Sequence, residues 1–330
     1  MTYEGVRVAV AIPAYKAKAT IAQVIAGIPP YVDQIIVVDD ASADGATEVV
    51  RALQDPRVHL IVHETNQGVG GAMKSAYRAA LADGIEIVAK MDADGQMDPV
   101  YLLDMIAPLV SGEAGYVKGN RLWSRTSARG MPRERLFGNL FLSLATKAAS
   151  GYWSTFDPTN GFTAIRADVL RRMDLDSVAN RYYFETSMLV ELHLRRVPVH
   201  DVLMEARYQG ETSSLSVVGA SVDFAPRLIR SLIRRVTLEY FVLDMRPGTV
   251  FGVLGLLGVL FGTGFGVYHW RLGEQIGMSS LPGTVMVAAI PVIVGAQLLL
   301  QALALDIAEA RNFSRLRPLS PPAGLPSPRS

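Results

Sequence analysis

The chain has no cysteine, which excludes disulfides and thiolate metal sites and leaves its redox compartment open. It has almost no excess of charge either. Its 32 Lys and Arg against 31 Asp and Glu leave a formal net charge of +1, so composition points neither to nucleic acid nor to an acidic partner. The five histidines have no metal-ligand spacing. A dinucleotide fingerprint and a P-loop are both missing, and no internal repeat is visible. The N-terminus, MTYEGVRVAVAIPAYKAKAT, holds an apolar stretch too short, and too soon broken by Lys16, for a signal peptide. The N-terminal domain is therefore expected to stay in the cytosol.

Apolar residues are abundant, and they are unevenly spread. Mean hydropathy is positive, at +0.24, which is unusual for a soluble protein and suggests a membrane portion. The first two hundred residues read as an ordinary α/β protein, whereas Pro247–Leu305 is almost wholly apolar. Arg246 and Arg271 bracket 24 residues without a full charge, and a helix of about 20 such residues crosses the hydrocarbon core. Gln275–Leu305 is a second uncharged stretch. Two long buried core helices are the alternative. Arg230, Arg234, Arg235 and Arg246 precede the first stretch, Arg311, Arg315 and Arg317 follow the second, and only Arg271 and Glu274 lie between. That asymmetry places both flanks in the cytoplasm. Small residues Gly258, Gly262 and Gly266 share one face of the first span and predict close packing with the second span or with another subunit.

Just upstream, Phe224, Leu228, Leu232, Val236 and Tyr240 form an apolar stripe, with Ile229 and Ile233 beside it and Arg227, Arg230, Arg234 and Arg235 mainly off it. Such a basic amphipathic helix suits a membrane surface; a helix packed on the soluble domain is the other reading. The tail after Arg317, rich in Pro and Ser, reads as disordered. The expected divisions are a soluble domain over 1–215, an amphipathic region over 216–247, a two-helix transmembrane hairpin over 248–306 and a tail over 307–330.

In the first domain, strand-like segments at Val6–Ile12 (ended by Pro13), Gln34–Val38, Val58–Val62 and Ile85–Met91 alternate with helical ones at Thr20–Ile28, Thr47–Leu53 and from NQGVGGA through Leu81. This alternation predicts an α/β fold with a mostly parallel sheet. Arg133–Ala149 reads as helix, followed by strand, helix and strand at Phe162–Ile165, Glu185–Arg196 and Val199–Glu205. In such sheets ligands sit beyond the carboxyl ends of the strands, where Asp39, Asp40, Asp92 and Asp94 fall.

MDADGQMDP carries the most specific chemistry. Alternate residues of an extended turn project to one side, so Asp92, Asp94 and Gln96 could hold one hard cation, Mg²⁺ or Mn²⁺, which shares its shell with substrate phosphates. A diphosphate leaving group needs that neutralisation. In VVDDASADG, Asp39 and Asp40 can accept hydrogen bonds from a nucleobase or ribose, while Ser42 or Asp44 can cap the next helix. NQGVGGAMKSA could offer backbone N–H groups to an anion, but the reading favoured for Gly70 and Gly71 is tight strand–helix packing; Lys74 is a candidate for donor phosphates. Arg125, Arg129, Arg133 and Arg135 form either a solvated face or donors for an anionic head group. Glu185 either orients the site or pairs with Arg181.

Taken in order, IPAY, VVDDASAD, NQGVGGA, MDADGQ, GNR, DPTNGF and YYFE resemble the inverting glycosyltransferase family 2, with its A-type fold. The branch most similar in layout contains dolichol-phosphate mannose synthase and bacterial polyprenyl-phosphate glycosyltransferases. The resemblance implies a nucleotide-sugar donor (a UDP- or GDP-sugar) held by Pro13, Tyr15, Asp39 and Asp40, with metal on Asp92, Asp94 and Gln96. It implies a polyprenyl-phosphate acceptor whose phosphate meets Arg121 and Arg133, with Asp157 near the reacting centre and Asp94 essential to transfer. Asp157 could instead be structural, bonding to the backbone of Asn160–Gly161. Lys16-Ala17 stands where that branch often has Asn-Glu, which bears on the base. A Gln-x-x-Arg-Trp motif is absent, which argues against processive synthesis. A hydroxyl acceptor, and a non-catalytic membrane scaffold, are the competing readings; a homo-oligomer is open to the chain as well.

Overall fold

The structure is a computed structural model of the 330-residue chain. It describes residues 3–121, 133–155, 157, 160–205, 217–243 and 246–313, with the backbone alone for 133–141, 217–223, 243 and 310–313. Arg125, Arg129 and the tail after Arg317 lie outside the described residues. The side chains of Arg133 and Arg135 do too, although both residues belong to a described helix.

Seven strands make one sheet: β1 Val8–Ala14, β2 Gln34–Asp39, β3 Val58–Val62, β4 Ile87–Lys90, β5 Tyr116–Asn120, β6 Thr163–Arg166 and β7 Val199–Leu203, in the order β3-β2-β1-β4-β6-β5-β7. Only β6 runs against its neighbours, pairing antiparallel with β4 and β5. β1 and β2 are buried almost throughout, the continuous apolar run expected of a strand covered on both faces. On one face Val8, Val10, Ile12, Ile35 and Val37 pack with α1 (Ile21–Gly27) and α4 (Leu102–Val110). The other face presents Ala9, Ala11, Ile36 and Val38 to α3 (Gly68–Ala82), which contributes Ala72, Met73, Ala76 and Tyr77. α2 (Ala46–Ala52) follows β2.

Pro13 does not end β1 as the sequence suggests; it pairs within the strand opposite Val38. The β4 ladder stops at Ala11–Lys90, so the N–H that proline lacks would face no strand. The segment after the MDADGQ turn forms a short 3₁₀ turn, Pro99–Tyr101, then α4 and β5. Sequence periodicity assigned neither element. α4 contains Pro108, and β5 reads YVKGN, with a lysine and a glycine where a buried strand usually carries β-branched residues. α5 (Arg133–Ser150), α6 (Ala167–Arg172) and α7 (Phe184–Leu194) complete this part of the chain.

The chain divides into two compact units, one reaching Leu232 and the other spanning Ile233–Asn312. α8 (Val217–Thr237) begins in the first. There Phe224, Leu228 and Leu232 pack with Ala149 and Tyr183, and the Tyr183 hydroxyl bonds to Ser231 at 2.9 Å. The early half of the expected membrane stripe is thus core of this unit, while Ile229 and Ile233 stay exposed.

The second unit holds α9 (Pro247–Ile276) and α10 (Pro282–Phe313). Both are long and apolar enough to cross a membrane, and only 11% and 6% of their most apolar windows is buried, which is not how core helices of a soluble protein look. Small residues bring the two backbones together. A Cβ on Gly255 would meet the Gly295 carbonyl at 2.8 Å, and one on Gly262 the Ala288 carbonyl at 2.5 Å. Of the two partners open to Gly258 and Gly262, the second helix is the one they meet. At one end of this unit Arg235 donates to both Asp306 oxygens (2.8 and 3.1 Å) and to Glu239 (3.1 Å). The Tyr240 hydroxyl adds a bond to Asp306 at 2.7 Å, and Arg246 pairs with Glu239 and Glu309.

Gly262→Leu is expected to overpack this contact and destabilise the unit by roughly 1–3 kcal/mol. Gly264→Leu, whose Cβ would meet nothing within 4 Å, should not. Thermal unfolding in detergent micelles checks the pair; equal midpoints for both variants and the wild type would contradict the packing.

Candidate functional site

The carboxyl end of β2 presents Asp39 and Asp40, both buried. Asp39 accepts the Ser42 N–H at 2.9 Å and the Thr47 hydroxyl. Asp40 accepts three donors: His63 Nδ1 (2.8 Å), the Gln67 N–H (2.8 Å) and the Gly68 N–H (2.7 Å). Its carboxylate therefore ties β2 to the end of β3 and caps the start of α3, where unpaired N–H groups favour an anion. Ser42 and Asp44 bond to the backbone of Lys16 and Lys18, which fixes the loop after β1 beside them. Tyr15 is exposed at 52% on that loop, and Pro13 is partly buried just before it.

The glycine turn does not present its amides to an open anion site. The Gly70 and Gly71 N–H groups both donate to the Asn180 carbonyl (2.7 and 3.0 Å), and a Cβ on Gly70 would lie 2.1 Å from the Ala179 carbonyl. Gly68 has φ of +82°, open to glycine at little cost. Lys74, a candidate for donor phosphates, is buried and donates to Asn180 Oδ1 at 2.6 Å.

Past β4 the chain turns through Asp92, Asp94 and Gln96. Asp94 is exposed and accepts the Gln96 N–H at 2.9 Å; Gly95, with φ of +76°, makes the bend. Thr20 braces the turn by donating to the Ala93 carbonyl at 2.6 Å. Asp92 is held from below by Lys90, whose Nζ lies 2.6 Å from Oδ1 and also 3.4 Å from Glu185 Oε1. Burial alone would lower the Lys90 pKa; the two carboxylates outweigh it and hold the ammonium above its ordinary value. Of the two readings of Glu185, orienting the site or pairing with Arg181, the contact with Lys90 beneath the Asp92 turn agrees with the first. Among the described residues no group of three or more His, Cys, Asp and Glu side chains forms a protein cage for a metal. Two carboxylates on an open turn fit instead a hard cation whose remaining ligands are water and substrate oxygens.

The loop before β6 closes the site. Its Gly161 lies so near the turn after β4 that a Cβ would come within 2.6 Å of Lys90 Nζ and 2.7 Å of Asp92 Oδ2. Asp157, 3% exposed, accepts Arg121 Nε at 3.1 Å. The bond that closes this turn of the loop runs from the Asn160 N–H to the Asp157 carbonyl, and the carboxylate meets Arg121. Asp92, Asp157 and Arg121 are thus brought to one end of the sheet by the β4–β6–β5 adjacency. Lys90 and Lys118 belong to the same cluster and escaped sequence reasoning. Their signal was a lysine inside an apolar strand, which burial permits only with a partner.

The family model for glycosyl transferase family 2 matches residues 9–174. A UDP-N-acetylglucosamine–dolichyl-phosphate N-acetylglucosaminyltransferase from Methanococcus voltae is 29% identical over 214 residues, 59% of this chain and 85% of that one. An undecaprenyl-phosphate mannosyltransferase from Micrococcus luteus is 32% identical over 194 residues, 57% of this chain and 79% of that one. Among solved structures, mannosyl-3-phosphoglycerate synthase from Rubrobacter xylanophilus superposes with a TM-score of 0.53 at 20% identity, covering 73% of this chain and 77% of that one. That likeness is one of fold, the A-type glycosyltransferase fold.

Lys90→Met would leave Asp92 and Glu185 without their shared counter-charge. Removing one partner of a buried pair costs roughly 3–5 kcal/mol. Denaturant unfolding should register a loss of that order, and an unchanged midpoint would contradict the pairing.

Proposed function

The chain belongs to glycosyl transferase family 2, and from that premise we propose an inverting, metal-dependent enzyme. It moves a sugar from a nucleotide-sugar donor to the phosphate of a polyprenyl-phosphate lipid, at the cytosolic face of a membrane crossed by α9 and α10. The relatives from Methanococcus voltae and Micrococcus luteus, named for dolichyl-phosphate and undecaprenyl-phosphate, support the acceptor class. The observation that carries the reading in this chain is the Arg121–Asp157 pair beside the Asp92 turn.

A hydroxyl acceptor is a poor nucleophile until a base removes its proton. A phosphate monoester has its second ionisation near pH 6 and is already anionic at neutral pH. Its difficulty is repulsion by the donor's phosphates. Asp157 is engaged by a guanidinium rather than poised to take a proton, and Arg121 is 40% exposed at its side chain. Among the described residues its terminal nitrogens have no partner, which leaves a planar pair of donors for a phosphate. In this reading Asp157 orients Arg121, Arg121 grips the acceptor phosphate, and Arg133 approaches the same group. An acceptor oxygen then attacks the anomeric carbon, the bond to the nucleoside diphosphate breaks with its electron pair, and configuration inverts.

Pro13, Tyr15, Asp39 and Asp40 border the nucleoside. Asp92, Asp94 and Gln96 would hold Mg²⁺ or Mn²⁺, which when bound supplies the charge that lets a diphosphate leave. The basic residues flanking the apolar helices support placing the site in the cytosol.

Arg121→Ala should lower kcat/KM for polyprenyl phosphate by about 10- to 100-fold, the loss of one charge-assisted contact. Asp157→Asn should stay within about tenfold of the wild type and keep the acidic limb of its pH profile, where a general base would show itself; loss of such a base would cost ~10²–10⁴. The reverse ranking in a radiolabelled transfer assay would establish a hydroxyl acceptor instead.

Asp94→Ala, or excess chelator on the wild type, should abolish transfer while circular dichroism remains unchanged. Full turnover in chelator would remove the metal from the account.

A further inference from the structure

Two lysines lie beneath the loop that carries Asp157. Lys118 of β5 and Lys90 of β4 are 0% and 1% exposed. Lys90 donates to the Gly161 carbonyl at 3.2 Å, and Lys118 donates to the neighbouring Asn160 carbonyl. Consecutive carbonyls of one loop are thus each held from below by a buried ammonium. The same Asn160 closes the turn through its N–H to the Asp157 carbonyl, and its Oδ1 accepts the Phe162 N–H at 3.0 Å. Asp157 in turn meets Arg121.

The two lysines differ in how their charge is met. Lys90 has carboxylates at 2.6 and 3.4 Å. Lys118 has a carbonyl as its hydrogen-bond acceptor, and the charged groups facing it are Asp157 from the loop, Glu185 from α7, Asp201 from β7 and Lys90 from β4. Burial pushes its pKa down to about 8, against the pull of the three carboxylates. An ammonium so placed is a poor device for stability, because an apolar side chain of similar length fills such a site without desolvating a charge. A group that is costly to the fold and adjacent to the chemistry is a candidate for positioning the site.

We propose that Lys118 is a positioning residue for the transfer reaction. By holding the Asn160 carbonyl it sets the turn that carries Asp157, and through Asp157 it sets the guanidinium that receives the acceptor phosphate. This rests on the assignment of Arg121 and Asp157 to the acceptor side.

The test uses the full chain in lipid nanodiscs, with undecaprenyl phosphate as acceptor probe and the nucleotide sugar that supports wild-type transfer. Lys118→Met removes charge and donor while keeping most of the volume. Its kcat/KM for the acceptor should fall by about three- to tenfold, no further than that of Asp157→Asn, chiefly through KM. Donor affinity, read by calorimetry with Mn²⁺, should stay within twofold, and the thermal midpoint should not fall. Lys118 is an ammonium below about pH 8 and a neutral amine above it. Wild-type kcat/KM for the acceptor should therefore decline as the pH rises through 8, a limb that Lys118→Met lacks.

Unchanged acceptor constants in the variant overturn the proposal, and so does a parallel loss of donor affinity and thermal midpoint, which marks a purely structural residue. The wild-type limb needs no variant, and its absence overturns the proposal as well. A wild type that transfers no sugar to undecaprenyl phosphate overturns the acceptor assignment instead.

Discussion

Lys90 has no water to solvate its charge, and much of the site follows from that. An ammonium buried at the end of a parallel strand must find carboxylates or become neutral. Here it finds two, Asp92 on the turn that follows its own strand and Glu185 on α7, and it also donates to the Gly161 carbonyl. One group thereby ties the turn proposed to face the donor to the loop proposed to face the acceptor. Gly161 is part of the same constraint, since a side chain there would displace either the ammonium or Asp92. The β4–β6 pairing sets the distance: β6 runs antiparallel beside β4, so the loop entering β6 arrives at the end where β4 exits.

The apolar unit follows a different rule. In hydrocarbon, where α9 and α10 are proposed to lie, there is no hydrophobic gain from joining two helices, and close backbone approach takes its place. Gly255, Gly262 and Gly295 allow it between α9 and α10. Buried charge recurs at one end of that unit, where Arg235 pairs with Asp306 and Glu239, and Glu239 with Arg246. Lys90 and Arg235 each meet more than one carboxylate.

Much of this was legible in the sequence because strands covered on both faces leave long apolar runs, and the acidic residues that end them stand out. VVDD and KMDAD are such endings, and the structure puts them where the alternation of strands and helices implied. What escaped depended on strand order. Arg121 and Asp157 are 36 residues apart, and only the adjacency of β5 and β6 joins them. The three donors that Asp40 accepts, from the residue after β3 and the start of α3, left no mark in the sequence. The stripe Phe224–Leu228–Leu232 read as a membrane face because apolar periodicity is the same whether the partner is lipid or protein; Tyr183 and Ala149 decide the matter. Lys118 left a faint signal, a lysine in YVKGN, visible once β5 is known to be buried.

The central proposal is that the acceptor atom is a phosphate oxygen rather than a hydroxyl, and the bond formed in the product reports on it directly. Purified protein in nanodiscs would be given a panel of nucleotide sugars, Mn²⁺ and a polyprenyl phosphate. The lipid product would then be examined by tandem mass spectrometry and by proton and phosphorus NMR. The account predicts one sugar joined to the lipid through a single phosphodiester, with the anomeric configuration opposite to that of the donor. A sugar attached to a hydroxyl, or a phosphodiester of retained configuration, would contradict it.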